Sequence, residues 1–326
     1  MIIVTLLVAV VVLSGCVGER QEKKVYHVGI LSGARAFSDI TDGFKAGMTE
    51  LGYVEGENII YDLREIEGDR EGEQQISREF VENKVDLIFA FSTEAALAAK
   101  AATEGTGIPV VFAMGTIENT GLVDSVRQPG GNITGVRFNG ADLILNELEI
   151  FLEMAPNVKR IWIIHDTTYP AGVDTMEVLR SVAPSMNVTL IETHVGSLED
   201  VEAVLQERAN MSDIGVDSIE MVPDVFTLSP DAFSLISAFA SEHKIPINGG
   251  PAYAPAMGSV LSGIPENKEM GKQAAFLADK ILRGVPAGTI PVITPESYLR
   301  INYKKTQELG LIVNEGLLSR ADEIIR

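Results

Sequence analysis

Residues 85–137 read VDLIFAFSTEAALAAKAATEGTGIPVVFAMGTIENTGLVDSVRQPGGNITGVR. An apolar run, Leu87–Phe91, ends in Ser92-Thr93-Glu94, and an alanine-rich helical stretch follows. A second run, Pro109–Ala113, ends in Met114-Gly115-Thr116, and a third, Ile133–Val136, follows Pro129-Gly130-Gly131. Runs that are apolar at every position suit strands buried on both faces, which is the condition of a parallel sheet covered by helices. Ligands of such sheets bind beyond the carboxyl ends of the strands. That rule nominates Ser92, Thr93, Gly115 and Thr116.

The pattern extends in both directions. Toward the N-terminus, Val25–Leu31 is a strand run, broken by a polar loop through Ser32, Arg35, Phe37 and Ser38. A helix over about Asp39–Leu51 follows, with Ile40, Phe44 and Met48 at helical spacing, and then a strand at Ile59–Arg64. After Arg137 the alternation restarts. Strand runs at Arg160–Ile164, Val188–Glu192, Ser218–Val222 and Ile245–Ile247 are separated by helical patterns. Ser197 with Asp200 and Ser229 with Pro230 mark helix starts. Beyond residue 258 the alternation thins to a strand at Ser259–Ser262, a helix at Pro265–Leu282, a proline-punctuated connector, a strand at Tyr298–Ile301 and short helical patterns in the tail. A lone helix and a few strands do not make a third domain, so they return to complete the first two. The expected fold is α/β: two doubly wound parallel-sheet lobes joined by a multi-strand hinge. Residues 25–137 plus 259–289 form the first lobe, and 138–258 plus 290–326 the second.

The chain has 326 residues, 46% of them hydrophobic and 22% charged, enough for two cores. A net charge of −20, spread along the chain, disfavours nucleic acid as a partner. Cys16 is the single cysteine, so neither an internal disulfide nor a zinc–cysteine cluster can form. The four histidines lie apart with no ligand spacing, so no metal and no cofactor are expected. Neither a phosphate-binding glycine loop nor a nucleophile elbow is present, so no catalytic residue is nominated.

Residues 1–13 are apolar and uncharged, too short to span a bilayer comfortably. They end in Leu13-Ser14-Gly15-Cys16, which resembles the lipobox of bacterial and archaeal lipoproteins. That resemblance implies a signal and tether over residues 1–24 and a lipid on Cys16. The rest of the chain would then lie outside the membrane it is anchored to.

Gly121-Leu122-Val123, Pro129–Val136 (PGGNITGV), Leu51–Asn58 (LGYVEGEN), Leu299–Asn302 and Leu309–Leu311 together resemble ABC-transporter substrate-binding proteins of the tryptophan/aromatic amino-acid-binding type. These have the type I periplasmic binding protein fold, and the likeness covers about Val25 to Leu311. It implies a receptor that binds a small molecule between its lobes and delivers it to the permease subunits of an ABC importer, acting as a monomer. A sensory subunit, or a binder of nucleosides or other small solutes, fits the same architecture. Glu94 stands where the family writes proline, residues 34–38 replace a His-Pro-x-x-Asp loop, and Thr116-Ile117-Glu118 replaces Ser-Asp-Pro.

Within this frame the start of the helix after Ser92 and Thr93 offers amides to a carboxylate. In the second half, Asp166 and Tyr169 follow the strand at 160–164, Asp224 follows the strand at 218–222, and Asn248, Gly249 and Tyr253 flank the loop after the strand at 245–247. Asp224 suits a ligand ammonium. The best ligand on this reading is an amino acid, aromatic in side chain.

Overall fold

The computed structural model describes residues 24–33, 38–66, 69–224 and 229–326. Cys16, Arg35 and Phe37 lie outside the described residues.

The first sheet has five strands: β1 (Tyr26–Ser32), β2 (Ile59–Glu65), β3 (Leu87–Phe91), β4 (Val110–Gly115) and β5 (Ile133–Arg137). All pair in parallel, in the order β2-β1-β3-β4-β5. Every residue of β3 and β4 is buried, as their unbroken apolar sequences require. Two cores lie on its two faces. One gathers Phe44, Phe89 and Met270; the other gathers Phe80, Ile88 and Phe112.

Helix α1 (Ser38–Glu50) and the much later helix α8 (Asn267–Leu282) pack together on one face. Their backbones nearly touch. A Cβ on Gly43 would stand 2.0 Å from the Lys268 carbonyl oxygen, and one on Gly271 2.1 Å from that of Ile40. Only glycine at these two crossings lets the helices approach so closely.

The second sheet has seven strands, in the order β12-β11-β10-β9-β8-β6-β7. These are β6 (Arg160–His165), β7 (Thr189–His194), β8 (Ser218–Glu220), β9 (Ile247–Asn248), β10 (Leu261–Ser262), β11 (Arg300–Asn302) and β12 (Glu323–Ile325). The β10–β11 pair is antiparallel and the other pairs are parallel. Helices α4 (Gly140–Met154), α5 (Pro170–Val182), α6 (Leu198–Ala209) and α7 (Pro230–His243) cover it. Ser197 accepts from the amide of Asp200, and Ser229 caps α7 ahead of Pro230, as the sequence predicts.

Two details differ from the sequence reading. Residues 259–262 were expected with the first lobe, but Leu261 pairs with Asn248 and Ile301 in the second sheet. A two-residue strand has no lobe preference of its own and goes where backbone partners are offered. The tail holds the expected short helices, α9 (Tyr303–Glu308) and α10 (Glu315–Arg320), but it ends in an unexpected strand, Glu323–Ile325, which extends the sheet beside β11.

The chain passes between the sheets at three places: after β5, between β10 and α8, and before β11. Side chains tie these passages to one another. Arg137 donates from Nε to Thr294 Oγ1 at 2.8 Å and from Nη1 to Glu118 Oε1 at 2.6 Å. The buried Arg300 donates to the Ile264 carbonyl at 3.2 Å and pairs with Glu266.

Candidate functional site

Each sheet reverses its winding once. In the first, the chain goes outward from β1 to β2, then returns to β3 on the other side. In the second it goes from β6 to β7, then returns to β8. Such switch points leave a crevice at the carboxyl ends of the strands. The first crevice holds Gly33 and Ser92; a Cβ on Gly33 would stand 2.7 Å from Ser92 Oγ. The second holds Asp166, Tyr169 and Asp224.

The two crevices face one cavity of about 270 Å³. The first sheet's side contributes Asp39, Ser92, Thr93, Met114 and Thr116. Opposite stand Ile144, Tyr169, Met221–Pro223 and Gly250–Tyr253, while Phe138, Ile264 and Asn267 come from the passages between the sheets. The wall is chiefly apolar, with polar groups at its ends.

Helix α3 (Thr93–Ala102) begins at the cavity, and no side chain caps it. Ser92 precedes it, but its hydroxyl lies 3.4 Å from Glu94 Oε2 instead of on a helix amide. Thr93 Oγ1 accepts from the Thr116 amide at 3.0 Å, which joins the ends of β3 and β4. The first amides of α3 therefore present their partial positive charge to the cavity.

Opposite the helix start the wall carries Tyr169 and Pro223; Asp224, the next residue after Pro223, is not itself among the lining residues. Asp224 is fully buried. Burial, with the charges of Glu94 and Asp224, pushes the Tyr169 phenol up to about 12. Tyr169 thus stays protonated. Glu94 lines a separate groove with Arg70, Glu73 and Leu97. Glu73, in the first turn of α2 (Arg70–Glu82), is raised to about 7 by burial and by the charge of Glu94.

Of the residues singled out in the sequence, Ser92, Thr93, Thr116, Tyr169 and Tyr253 line the cavity. Gly115 is buried between two lining residues, and Ser38 is the exposed first residue of α1, next to Asp39. Ser32 is buried at the end of β1. Asp166 is taken up by its own turn, accepting from the Thr168 amide at 2.7 Å and hydroxyl at 2.8 Å. Asn248 lies inside the sheet and donates to Glu220 Oε2 at 2.7 Å. Gly249, at φ +74°, sits between Met221 and Glu147. Neither Asn248 nor Gly249 reaches the cavity; the lining begins one residue later, at Gly250.

The sequence reading missed Met114, Phe138, Ile144, Met221 and Ile264, because an apolar residue that faces a cavity has the same sequence signature as one that faces the core. It also missed a layer beneath the cavity. Glu147 accepts from the Gly263 amide and is raised by burial to about 8, and Glu220 is pushed well above the carboxylate range by burial and by Glu147. One oxygen of each, and Asn248 Oδ1, find no hydrogen-bond partner among the described residues.

Comparison with known proteins agrees with this geometry. A curated relative, the "Tyrosine-binding protein" of Clostridioides difficile (strain R20291), is 29% identical over 280 residues, which is 86% of this chain and 75% of the relative. The solved ABC domain from Streptococcus pneumonia, in complex with L-Trp, superposes with a TM-score of 0.78 at 24% identity, covering 93% of this chain and 100% of that one. A conserved domain protein from Vibrio cholerae gives 0.77 at 26% identity, covering 93% and 99%. The model of the family described as "ABC transporter substrate binding protein" matches residues 28–325. That match spans both sheets and every wall of the cavity, so the chain belongs to the ABC transporter substrate binding protein family, whose members capture a solute without transforming it.

Proposed function

We propose that the solute is a free α-amino acid with a bulky, apolar or aromatic side chain. The observation that carries this is the cavity's lining: an uncapped helix start on one side, Tyr169 opposite it with the buried Asp224 next to the lining residue Pro223, and an apolar wall between. A zwitterion presents the matching pair of charges. Its carboxylate is received by the first amides of α3 with the Ser92 and Thr93 hydroxyls, and its ammonium by Asp224 with Tyr169. The side chain lies against Met114, Phe138, Ile144, Met221 and Ile264. Size supports this, since a dry cavity of about 150 Å³ already accepts benzene, and about 270 Å³ leaves room for a ring and a short polar head. The names of two similar proteins, one tyrosine-binding and one holding L-Trp, point the same way.

As in its family, the chain works outside the cytoplasm and partners the membrane subunits of an ABC importer. No helix among the described residues is long and apolar enough to cross a membrane. On our reading Cys16 carries the lipid that holds it there, and Cys16→Ala releases the protein from membrane fractions. The first lobe is residues 25–137 with about 263–293, the second 138–262 with 294–326, and the three passages act as the hinge. One chain supplies both walls of the cavity, which supports a monomer as the working unit.

The test is calorimetric titration of ligand-stripped protein with tryptophan, tyrosine, phenylalanine, leucine and uridine, alongside mass spectrometry of the co-purified ligand. An amino acid from this set is expected to bind at one site per chain and to raise the melting temperature. Binding of uridine with no response to any amino acid rejects the reading.

A further inference from the structure

His165 and His194 are far apart in sequence, but β6 and β7 run parallel in a register that sets them opposite each other. Glu192, two residues before His194 on the same strand, shares its face. Trp162 and Thr193 fix the opposite face, with the indole NH donating to Thr193 Oγ1 at 2.9 Å. The two imidazoles stand edge to face with centroids 5.0 Å apart. His165 Nε2 lies 3.3 Å from Glu192 Oε2. One ligand atom from each of the three lies within 4.8 Å of the others.

The geometry points to a divalent transition-metal site formed by His165, Glu192 and His194, with water as the fourth ligand, on the outer edge of the second sheet and apart from the solute cavity. Two ligand atoms bound at about 2.0–2.2 Å in a tetrahedron stand roughly 3.3–3.5 Å apart. The His165–Glu192 pair is already at that spacing, and exposed His194 needs only a side-chain rotation to join it. Two imidazoles and a carboxylate are the donor set that zinc and its neighbours favour. Buried His165, 2% exposed, anchors the site to strand β6. Arg180 competes for the carboxylate, donating to Glu192 at 2.9 and 2.6 Å. Its side chain is 51% exposed, so it can swing into solvent when a metal binds. The sequence shows nothing of this, because strand register, not spacing along the chain, assembles the three groups.

The test is calorimetric titration of the full-length, EDTA-treated protein with zinc chloride. One saturable site per chain is expected. His194→Ala, at an exposed position, and Glu192→Gln, at a partly exposed one, should each weaken binding at least about tenfold. Arg180→Ala, which removes the competing cation, should tighten it severalfold. Amino-acid binding should stay unchanged in His194→Ala, which separates this site from the cavity. Absence of saturable zinc binding, or equal affinity in wild type and His194→Ala, overturns the proposal. An Arg180→Ala affinity equal to or weaker than wild type removes Glu192 from the ligand set and overturns it as stated.

Discussion

The two sheets solve the same packing problem with different materials. The first is uniformly parallel, and among its described residues Glu73 is the buried carboxyl group. The second mixes parallel and antiparallel pairing and buries Glu147, His165, Glu220, Asp224 and Arg300. An apolar core owes its stability to burial and packing, which do not titrate. A core that holds carboxyl groups away from water makes its stability depend on their protons. The first lobe, with Glu73 as its buried carboxyl against several in the second, is therefore the less pH-dependent wall, and it offers a helix start to the solute. The second is a wall whose stability and charge vary with pH.

The largest expected effect breaks the first wall. Phe89 stacks on Phe44 with centroids 4.1 Å apart, both fully buried. Phe89→Ala should destabilise the protein by about 3–5 kcal/mol. Urea unfolding should show the same loss at pH 5.5 and pH 8.5, and a loss that varied with pH would blur the contrast between the lobes.

Next comes the charge that the second lobe offers the solute. Asp224→Asn keeps the shape and removes the charge at the ammonium end. The affinity for the bound amino acid should fall by about 2 kcal/mol or more, roughly thirtyfold. Thr93→Ala, at the carboxylate end, should lose less, about 1 kcal/mol. If calorimetry finds Asp224→Asn unchanged, the ammonium lies elsewhere.

A third measurement concerns Glu147. Its value of about 8 in the fold lies above the ordinary 4.5. Between those limits the native chain holds a proton that the unfolded chain releases. The stability from this group is full below pH 4.5 and is lost as pH rises toward 8; Glu220 acts in the same direction. Glu147→Gln keeps an acceptor for the Gly263 amide and cannot ionise. It should be more stable than wild type at pH 9, by on the order of 1–3 kcal/mol, with little difference at pH 4.5. Parallel pH–stability curves for the two proteins would remove the carboxyl from the explanation.

The smallest effect lies where the lobes meet. Glu118→Gln loses a partly exposed partner of Arg137, and thermal unfolding should shift by only a few tenths of a kcal/mol. A larger shift would mean that the passages between the sheets carry more of the stability than either core.

The strands of the first sheet were legible because each sits in a local signal. Leu87–Phe91 and Val110–Gly115 are apolar throughout, are bounded by turns, and needed no knowledge of their partners. The capping serines 197 and 229 were legible for the same reason. Leu261–Ser262 and Glu323–Ile325 were not, since two or three residues carry no period and take their structure from the edge they meet. In the site, Ser92, Thr93, Thr116 and Tyr169 were readable as strand-end polar residues. Asn248 and Gly249 follow the same rule yet turn away from the cavity.

Residues 85–137 alone determined the layered α/β class and the edge of the sheet where a ligand sits, because hydrophobic period and turn chemistry act over a few residues. Only the tertiary structure decided the rest. Which apolar side chains face the cavity, that α8 returns to α1 across two glycines, that Glu147 meets Glu220 and that His165 meets His194 all depend on packing between segments distant in the chain. Local sequence carries no record of such meetings, because burial and close packing reward any residue of suitable size and polarity without naming its neighbour.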